Sequence, residues 1–396
     1  MPDFRPFPAL RFANDIDLKT ALAPPYDVLT DEDARALQES APYNITWIDV
    51  PFGDYDKAAE TLWKWVQDGV LSSDISDTLS IYRMAFTDAP GTPREIVGVL
   101  GGLEVVDEGA GGVLPHERTT PKAKSDRLDL TRATSTNMSP VWGLSLAGGL
   151  TEELREPGTP EGSVTFDGVK HTVEKISDPA RIERIRAILA SDDVLIADGH
   201  HRYAVSRTYR DEVRSATGSH KTQAEYTLTF VNELIEDQLS IEAIHRLYEG
   251  LSADALRGAL SKWFVLEPFD GSVTPGTLAE MESLGRLVIL WPDGTAGWLV
   301  PKPGVFDDVR PLDGLWLETA LADVPHEVSY QHGLAETLGE VASGNYTAGI
   351  LIRPTSIAEI RRTAREGLLM PPKSTFFTPK LLTGWVLRPT ATLPGQ

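Results

Sequence analysis

The sequence predicts a mixed α/β (α+β) fold in more than one domain, and three observations carry that reading. The chain has 396 residues, against about 150 for a typical single domain. Segments of helical period alternate with β-branched runs along its length. Hydrophobic residues make up 41% and charged residues 24%, the composition of a packed chain rather than a disordered one. A compact chain of this size buries roughly three quarters of the surface its unfolded form exposes. It therefore needs no disulfide or structural metal for stability.

After a proline-rich start, Thr30 with Asp33 three residues on forms a capping-box pattern that opens a helix near 31–40. The run NITWIDV (44–50) is β-branched and aromatic and reads as a strand. Residues 55–69 have helical spacing with Gly69 as a stop, and TLSIYRMAF (78–86) is again strand-like. Strand-like 94–106 leads through a glycine-rich turn into the longest polar segment of the chain, LPHERTTPKAKSDRLDLTRATSTNMSP, which reads as a functional loop. VWGLSL (141–146) resumes a strand, and 149–163 is either a short helix plus loop or an insertion. Ile182, Ile185, Ile188 and Leu189 mark a helix over 178–191, DVLIAD (193–198) is a short buried strand, 201–218 returns to helix and 225–234 to strand. Segments 252–262, 286–291, 313–324, 347–353 and 356–366 continue the mixture. The tail 370–389 keeps aromatics and β-formers, so it is expected to dock. The domains expected are an N-terminal α/β region 1–92, a core 93–245, and a C-terminal α/β region 246–396 whose tail returns to the core.

Lys plus Arg number 37 against 58 Asp plus Glu, a net charge of −21. Such a field repels polyanions, so nucleic acid is not expected as a partner. With no cysteine in the chain, disulfides, thiolate zinc sites, iron–sulfur clusters and a cysteine nucleophile are all excluded. The N-terminus MPDFRPFPALRF has no basic segment followed by an apolar run, and no stretch has the apolar length of a membrane span. A cytoplasmic protein with a small-molecule partner and no membrane partner is the expectation.

ADGHHRY (197–203) is the sharpest motif: a buried strand ends in Asp-Gly and a helix starts at once with two histidines and an arginine. Gly199 lets the backbone approach a ligand, the free amides of a helix start favour phosphate, and Arg202 offers a charged fork. His200 and His201 complete the group, and Asp198 is either a magnesium ligand or the helix cap. The plain alternative is a capped helix with solvated His and Arg. PHERT (115–119) comes second, with His116, Glu117 and Arg118 followed by Lys122, Lys124, Arg127 and Arg132 in an otherwise acidic chain. Glu117 is placed to act as a general base with cations alongside for phosphate oxygens; the alternative is a solvated loop. A third group is Lys373, Ser374, Thr375 and Lys380 in the tail, an arm over the site or an ordinary surface strand. PPYDV (24–28) reads as a turn, with Asp27 lining the site as the alternative.

Other patterns fail. HEVSYQH (326–332) has two residues too many for a zinc-protease helix, no phosphate-binding P-loop or dinucleotide fingerprint occurs, and His171, His220 and His245 stand alone as structural residues.

PPYDV, PHERT, the segment to NMSPVWGL, ADGHHRY with YRDE after it, and MPPKSTFFTPKLLTG together resemble the domain-of-unknown-function family 1015 over nearly the whole chain. PHE followed by DGHHR also resembles the ParB/sulfiredoxin-like fold, especially its free-serine kinases. That resemblance implies a ParB/sulfiredoxin-like catalytic core with additional α/β regions at both ends. It makes Glu117 the base for a serine hydroxyl and puts Asp198 to Arg202 on the phosphates of ATP, ADP or pyrophosphate, with Mg2+. The two motifs lie closer together in the small serine kinases, so 120–190 would be an insertion. Two other functions use the same residues. One is a metal-dependent hydrolase gathering His116, Glu117, Asp198, His200 and His201, and the other is a nucleotide-sensing regulator without turnover.

Overall fold

The computed structural model describes residues 1–88, 91–115 and 124–391, the side chains of 124 and 125 excepted. Two compact units form: Met1–Thr87 with Pro93–Leu239 and Pro379–Gln396, and Asp88–Thr92 with Ser240–Thr378.

The first unit is built on a nine-stranded sheet. Its strands are β1 (Phe4–Arg5), β2 (Leu79–Thr87), β3 (Pro93–Glu104), β4 (Val113–Pro115), β5 (Val141–Ser145), β6 (Thr159–Phe166), β7 (Val169–Ile176), β8 (Val194–Asp198) and β9 (Tyr226–Glu233). The order across the sheet is β4-β8-β5-β9-β3-β2-β7-β6, with β1 on β3. Helices α1 (Asp31–Ser40), α2 (Tyr55–Gln67), α3 (Lys124–Thr134), α4 (Pro179–Leu189) and α5 (His200–Thr217) accompany it. The apolar faces of β2, β3, β5 and β8 bury Leu79, Ile81, Val97, Val99, Val141, Val194 and Ile196 together with Ile182, Ile185 and Leu189 of α4. Each such side chain contributes roughly 1.5–3 kcal/mol of hydrophobic burial. Glycines in β3 admit large rings from its neighbours: a Cβ on Gly98 would meet the Phe230 ring at 2.4 Å, and one on Gly101 would meet Phe4 at 2.4 Å.

Several elements differ from the sequence reading. The boundary expected between 92 and 93 falls inside the β2–β3 hairpin, where Thr87 pairs with Pro93 and Ser80 with Leu100. NITWIDV is not a strand: Thr46–Asp49 is a helical turn. Asn44 turns the chain there, since its Oδ1 accepts from Thr46 N–H at 3.0 Å and its amide donates to the carbonyls of Thr20 and Leu22. Those tertiary bonds override β propensity. The long polar segment contains α3, so it is not a continuous loop. Residues 159–176 form a hairpin added to the far side of the sheet, closed by Asp167 and Gly168 with φ of 46° and 76°. This is the Asp-Gly turn that matches strand twist. The capping box at Thr30 and Asp33 is present, each side chain accepting from the other's backbone N–H.

The last segment belongs to the first unit. Thr383 pairs with Ala23 and Leu387 with Leu10, while Arg388 pairs with Asn137. Leu382 N–H donates to the Tyr82 hydroxyl at 3.0 Å, and that hydroxyl lies 2.8 Å from His171 Nδ1. Burial lowers the His171 pKa to about 4. A histidine kept neutral by folding stabilises the native state above its unfolded value of 6.5, and that contribution disappears as pH falls toward 4. Wild type should therefore lose about 2–3 kcal/mol more than His171→Gln between pH 7 and pH 4.5, at about 1.4 kcal/mol per pH unit of pKa difference. Urea unfolding of both proteins at the two pH values checks this, and parallel losses would contradict it.

The second unit carries a six-stranded antiparallel sheet of β10 (Ile244–Glu249), β11 (Phe264–Pro268), β12 (Leu287–Leu290), β13 (Ala296–Pro301), β14 (Glu327–His332) and β15 (Ala348–Leu351), in the order β11-β13-β12-β15-β10-β14. Leu256, Leu260, Ile289, Leu317 and Ile350 lie in its core. HEVSYQH falls mostly on strand β14, whose alternating side chains cannot imitate a metal-binding helix. No helix among the described residues is long and apolar enough to cross a membrane.

Candidate functional site

Two motif-bearing strands of the first unit end side by side. Strand β8 runs parallel to β4, with Leu195 opposite Leu114 and Ile196 opposite Pro115. It runs antiparallel to β5, with Asp198 opposite Trp142 after a register shift. Parallel neighbours lie about 4.8 Å apart and finish at the same end of a sheet. The described ends of the two strands, Pro115 and Asp198, therefore lie at one edge of the sheet, where the start of β5 also lies.

At Asp198 the chain turns sharply. Gly199 has φ 82° and ψ 28°, and α5 starts at the next residue. Gly199 N–H donates to Asp198 Oδ1 at 2.7 Å. A Cβ at Gly199 would lie 3.0 Å from Arg202 Nε. Gly199→Ala should thus cost about 1–2 kcal/mol from the left-handed backbone alone and push the guanidinium aside. A denaturant midpoint unchanged in this variant would contradict the reading.

Charge at this end is concentrated and paired. Lys380 Nζ lies 2.9 Å from Asp198 Oδ2. Arg202 Nη1 donates to the Pro140 carbonyl, and Nη2 lies 3.6 Å from Asp27 Oδ2 and 3.8 Å from Asp198 Oδ2. Burial alone would raise the Asp198 pKa. Lys380, Arg202 and the Gly199 amide outweigh it and hold the carboxyl well below its usual range. Burial likewise opposes the charge on Arg202, and Asp27 and Asp198 more than restore it.

Beside this cluster, Arg127 of α3 donates to both the carbonyl and Oδ1 of Asp49, at 2.7 and 3.1 Å, and to Asp126 at 2.7 Å. Its guanidinium carbon sits 4.1 Å from the centre of the Tyr26 ring. Burial pushes the Tyr26 hydroxyl up to about 12 and raises Asp49, against the pull of Arg127. Ser139 Oγ donates to Asp49 Oδ2 at 3.3 Å and lies 3.0 Å from Thr383 Oγ1. A cavity of about 40 Å³ runs among Tyr26, Asp49, Arg127, Ser139, Arg202 and Ser206, room for about one water.

Of the residues expected from sequence, Asp198, Gly199, His200, His201, Arg202 and Lys380 stand at or next to this strand end, with Arg127 in the cavity wall. His116, Glu117, Arg118 and Lys122 lie outside the described residues, as does the side chain of Lys124, the first residue of α3. Lys373 belongs to the second unit, where its carbonyl accepts from Arg246. In PPYDV the turn forms, Val28 N–H donating to the Pro25 carbonyl at 3.1 Å, and the Asp27 carboxylate lies 3.6 Å from Arg202 Nη2. Asp49, Tyr26 and Ser139 were not singled out from sequence. Tyr26 and Ser139 sat inside the PPYDV and NMSP motifs, while Asp49 was hidden in the run misread as a strand.

Asp198 does not fit a resident magnesium ion. Oδ1 accepts from Gly199 and Oδ2 from Lys380, and a second cation, Arg202, stands 3.8 Å away. A divalent ion is disfavoured beside two positive charges. Among the described residues no three His, Cys, Asp or Glu side chains gather as a metal site.

The model of the family described as a protein of unknown function, DUF1015, matches residues 4–315. The chain belongs to that family. No curated protein matches it. Among solved structures, it is similar to a conserved hypothetical protein from Pyrococcus furiosus at 12% identity, over 67% of this chain and 87% of that one, with a TM-score of 0.36. A free serine kinase mutant in complex with ADP is similar at 13% identity, over 67% of this chain and 84% of that one, with a TM-score of 0.37. SbnI with a C-terminal truncation, from Staphylococcus aureus, is similar at 13% identity, over 75% and 90%, with a TM-score of 0.39.

Proposed function

We propose that the chain is a small-molecule kinase with a ParB/sulfiredoxin-like core, transferring a phosphoryl group from ATP, ADP or pyrophosphate to the hydroxyl of free L-serine or a similar metabolite. The observation that supports this reading is that the strand leading to the PHERT motif and the strand leading to DGHHR are parallel neighbours in one sheet. Pro115 pairs with Ile196; Glu117 follows the first by two residues and Asp198 the second by two. A two-residue step spans at most about 7 Å. A base and a phosphate site can therefore meet over one acceptor.

Phosphoryl transfer asks little covalent chemistry of a protein: a positioned hydroxyl, a base, and cations on the phosphoryl oxygens. In this proposal Glu117 takes the acceptor's proton, with His116 and Arg118 beside it. The first amides of α5 after Gly199, with His200, His201, Arg202 and Lys380, receive the donor phosphates. Lys122 and Lys124 add positive charge, and Arg127 holds the wall through Asp49 and Tyr26. Magnesium enters as part of the donor complex, coordinated chiefly by phosphate oxygens as is usual for this ion. The same Asp198–Lys380 contact keeps Asp198 ionised and fixes the tail beside the phosphate site.

Incubating the protein with L-serine, Mg2+ and each of the three donors tests the reading. Phosphoserine formed from one donor is the expected outcome; none from any donor would overturn it.

A further inference from the structure

Resting on the kinase reading, we infer that Asp27 selects acceptors carrying a positively charged amino group. Among the described residues, Asp27, Asp49 and Asp198 bring carboxylates to this end of the sheet, and the last two are already satisfied. Asp198 accepts from Gly199 and Lys380. Asp49 is 3% exposed and accepts from Arg127 and Ser139. Asp27 differs: its side chain is 40% exposed, and among the described residues its carboxylate has only the 3.6 Å ion pair with Arg202, beyond hydrogen-bond length.

The placement of Asp27 is nevertheless fixed. It lies within the turn closed by Val28 and Pro25, next to Tyr26, whose ring is covered by the buried Arg127. A held carboxylate with open lone pairs, at the rim of a phosphate-binding arginine, is an acceptor for an ammonium group. Charge balance points the same way. A phosphate on Arg202 would face Asp27 across one guanidinium, and like charges that close repel. An amino-bearing acceptor brings a cation to that position; a neutral or anionic hydroxyl compound does not. Asp27 thus favours an amino alcohol over its deaminated counterpart.

Calorimetric titration of wild type, Asp27→Asn and Asp27→Glu with L-serine and with 3-hydroxypropionate tests this, with turnover of both compounds measured alongside. Wild type should bind L-serine at least 10-fold more tightly than 3-hydroxypropionate. Asp27→Asn should lose that preference through a 10- to 100-fold weaker grip on L-serine, and Asp27→Glu should recover part of it. Asp27 is solvent-facing, so Asp27→Asn should fold, which a thermal melt verifies. An equal preference in Asp27→Asn, or no preference in wild type, overturns the inference. Turnover of L-serine with an unchanged preference in Asp27→Asn would sink the selector and leave the kinase standing. An Asp27-dependent preference without phosphoserine would do the reverse.

Discussion

Arg202→Ala is expected to lower affinity for the phosphate donor at least 100-fold and to destabilise the first unit. The Arg202 side chain is 11% exposed, and its guanidinium stands between two carboxylates, Asp27 and Asp198, while donating to the Pro140 carbonyl. Its removal leaves Asp27 without a cation among the described residues and Asp198 with Lys380 alone. Removing one partner of a buried pair costs about 3–5 kcal/mol; partial exposure of Asp27 and Asp198 places this case at the lower end. A factor of 100 in donor affinity corresponds to about 2.7 kcal/mol, a reasonable value for one lost charged fork. Arg202→Lys keeps the charge without the planar fork, so it should restore stability better than donor affinity. Urea midpoints and calorimetric titration with ATP, ADP and pyrophosphate check both parts. Unchanged donor affinity in Arg202→Ala would take this residue out of the phosphate site.

Glu117→Gln is the second change with a large expected effect. A positioned general base contributes about 10²–10⁴-fold to a rate, and glutamine keeps the size of the side chain while removing its ability to accept the proton. The expected result is a loss of that order in turnover with donor affinity and thermal stability retained. This pattern separates the variant from Arg202→Ala, in which affinity and stability fall together. If Glu117 is merely a solvated loop residue, none of the three quantities will move.

Local order was legible where local chemistry decides it. The Thr30–Asp33 capping box, the strand ending at Asp198 and the helix after Gly199 all form where the residues indicate. The fold class followed from the alternation of these elements. NITWIDV was not legible, because the side chain of Asn44 is bound to carbonyls more than 20 residues away, at Thr20 and Leu22. The hairpin of 159–176 carries a local signal, Asp167-Gly168 between alternating runs. Strand order is not a local property, so β2 and β3 were assigned to different domains although they are partners in one sheet. The site shows the same division. DGHHR announced itself, and Lys380 was a candidate on composition alone, but its pairing with Asp198 joins residues 182 apart in sequence. Asp49 gave no sign, since its role comes from Arg127 and Ser139 on later elements.

The central claim is that two strand ends bring a base and a phosphate site to one acceptor. Its most direct test is phosphoserine formation by wild type and Glu117→Gln in one assay, with donor binding measured on the same samples. The account predicts product from wild type, little or none from Glu117→Gln, and equal donor affinity in both. Equal product from the two proteins would contradict it.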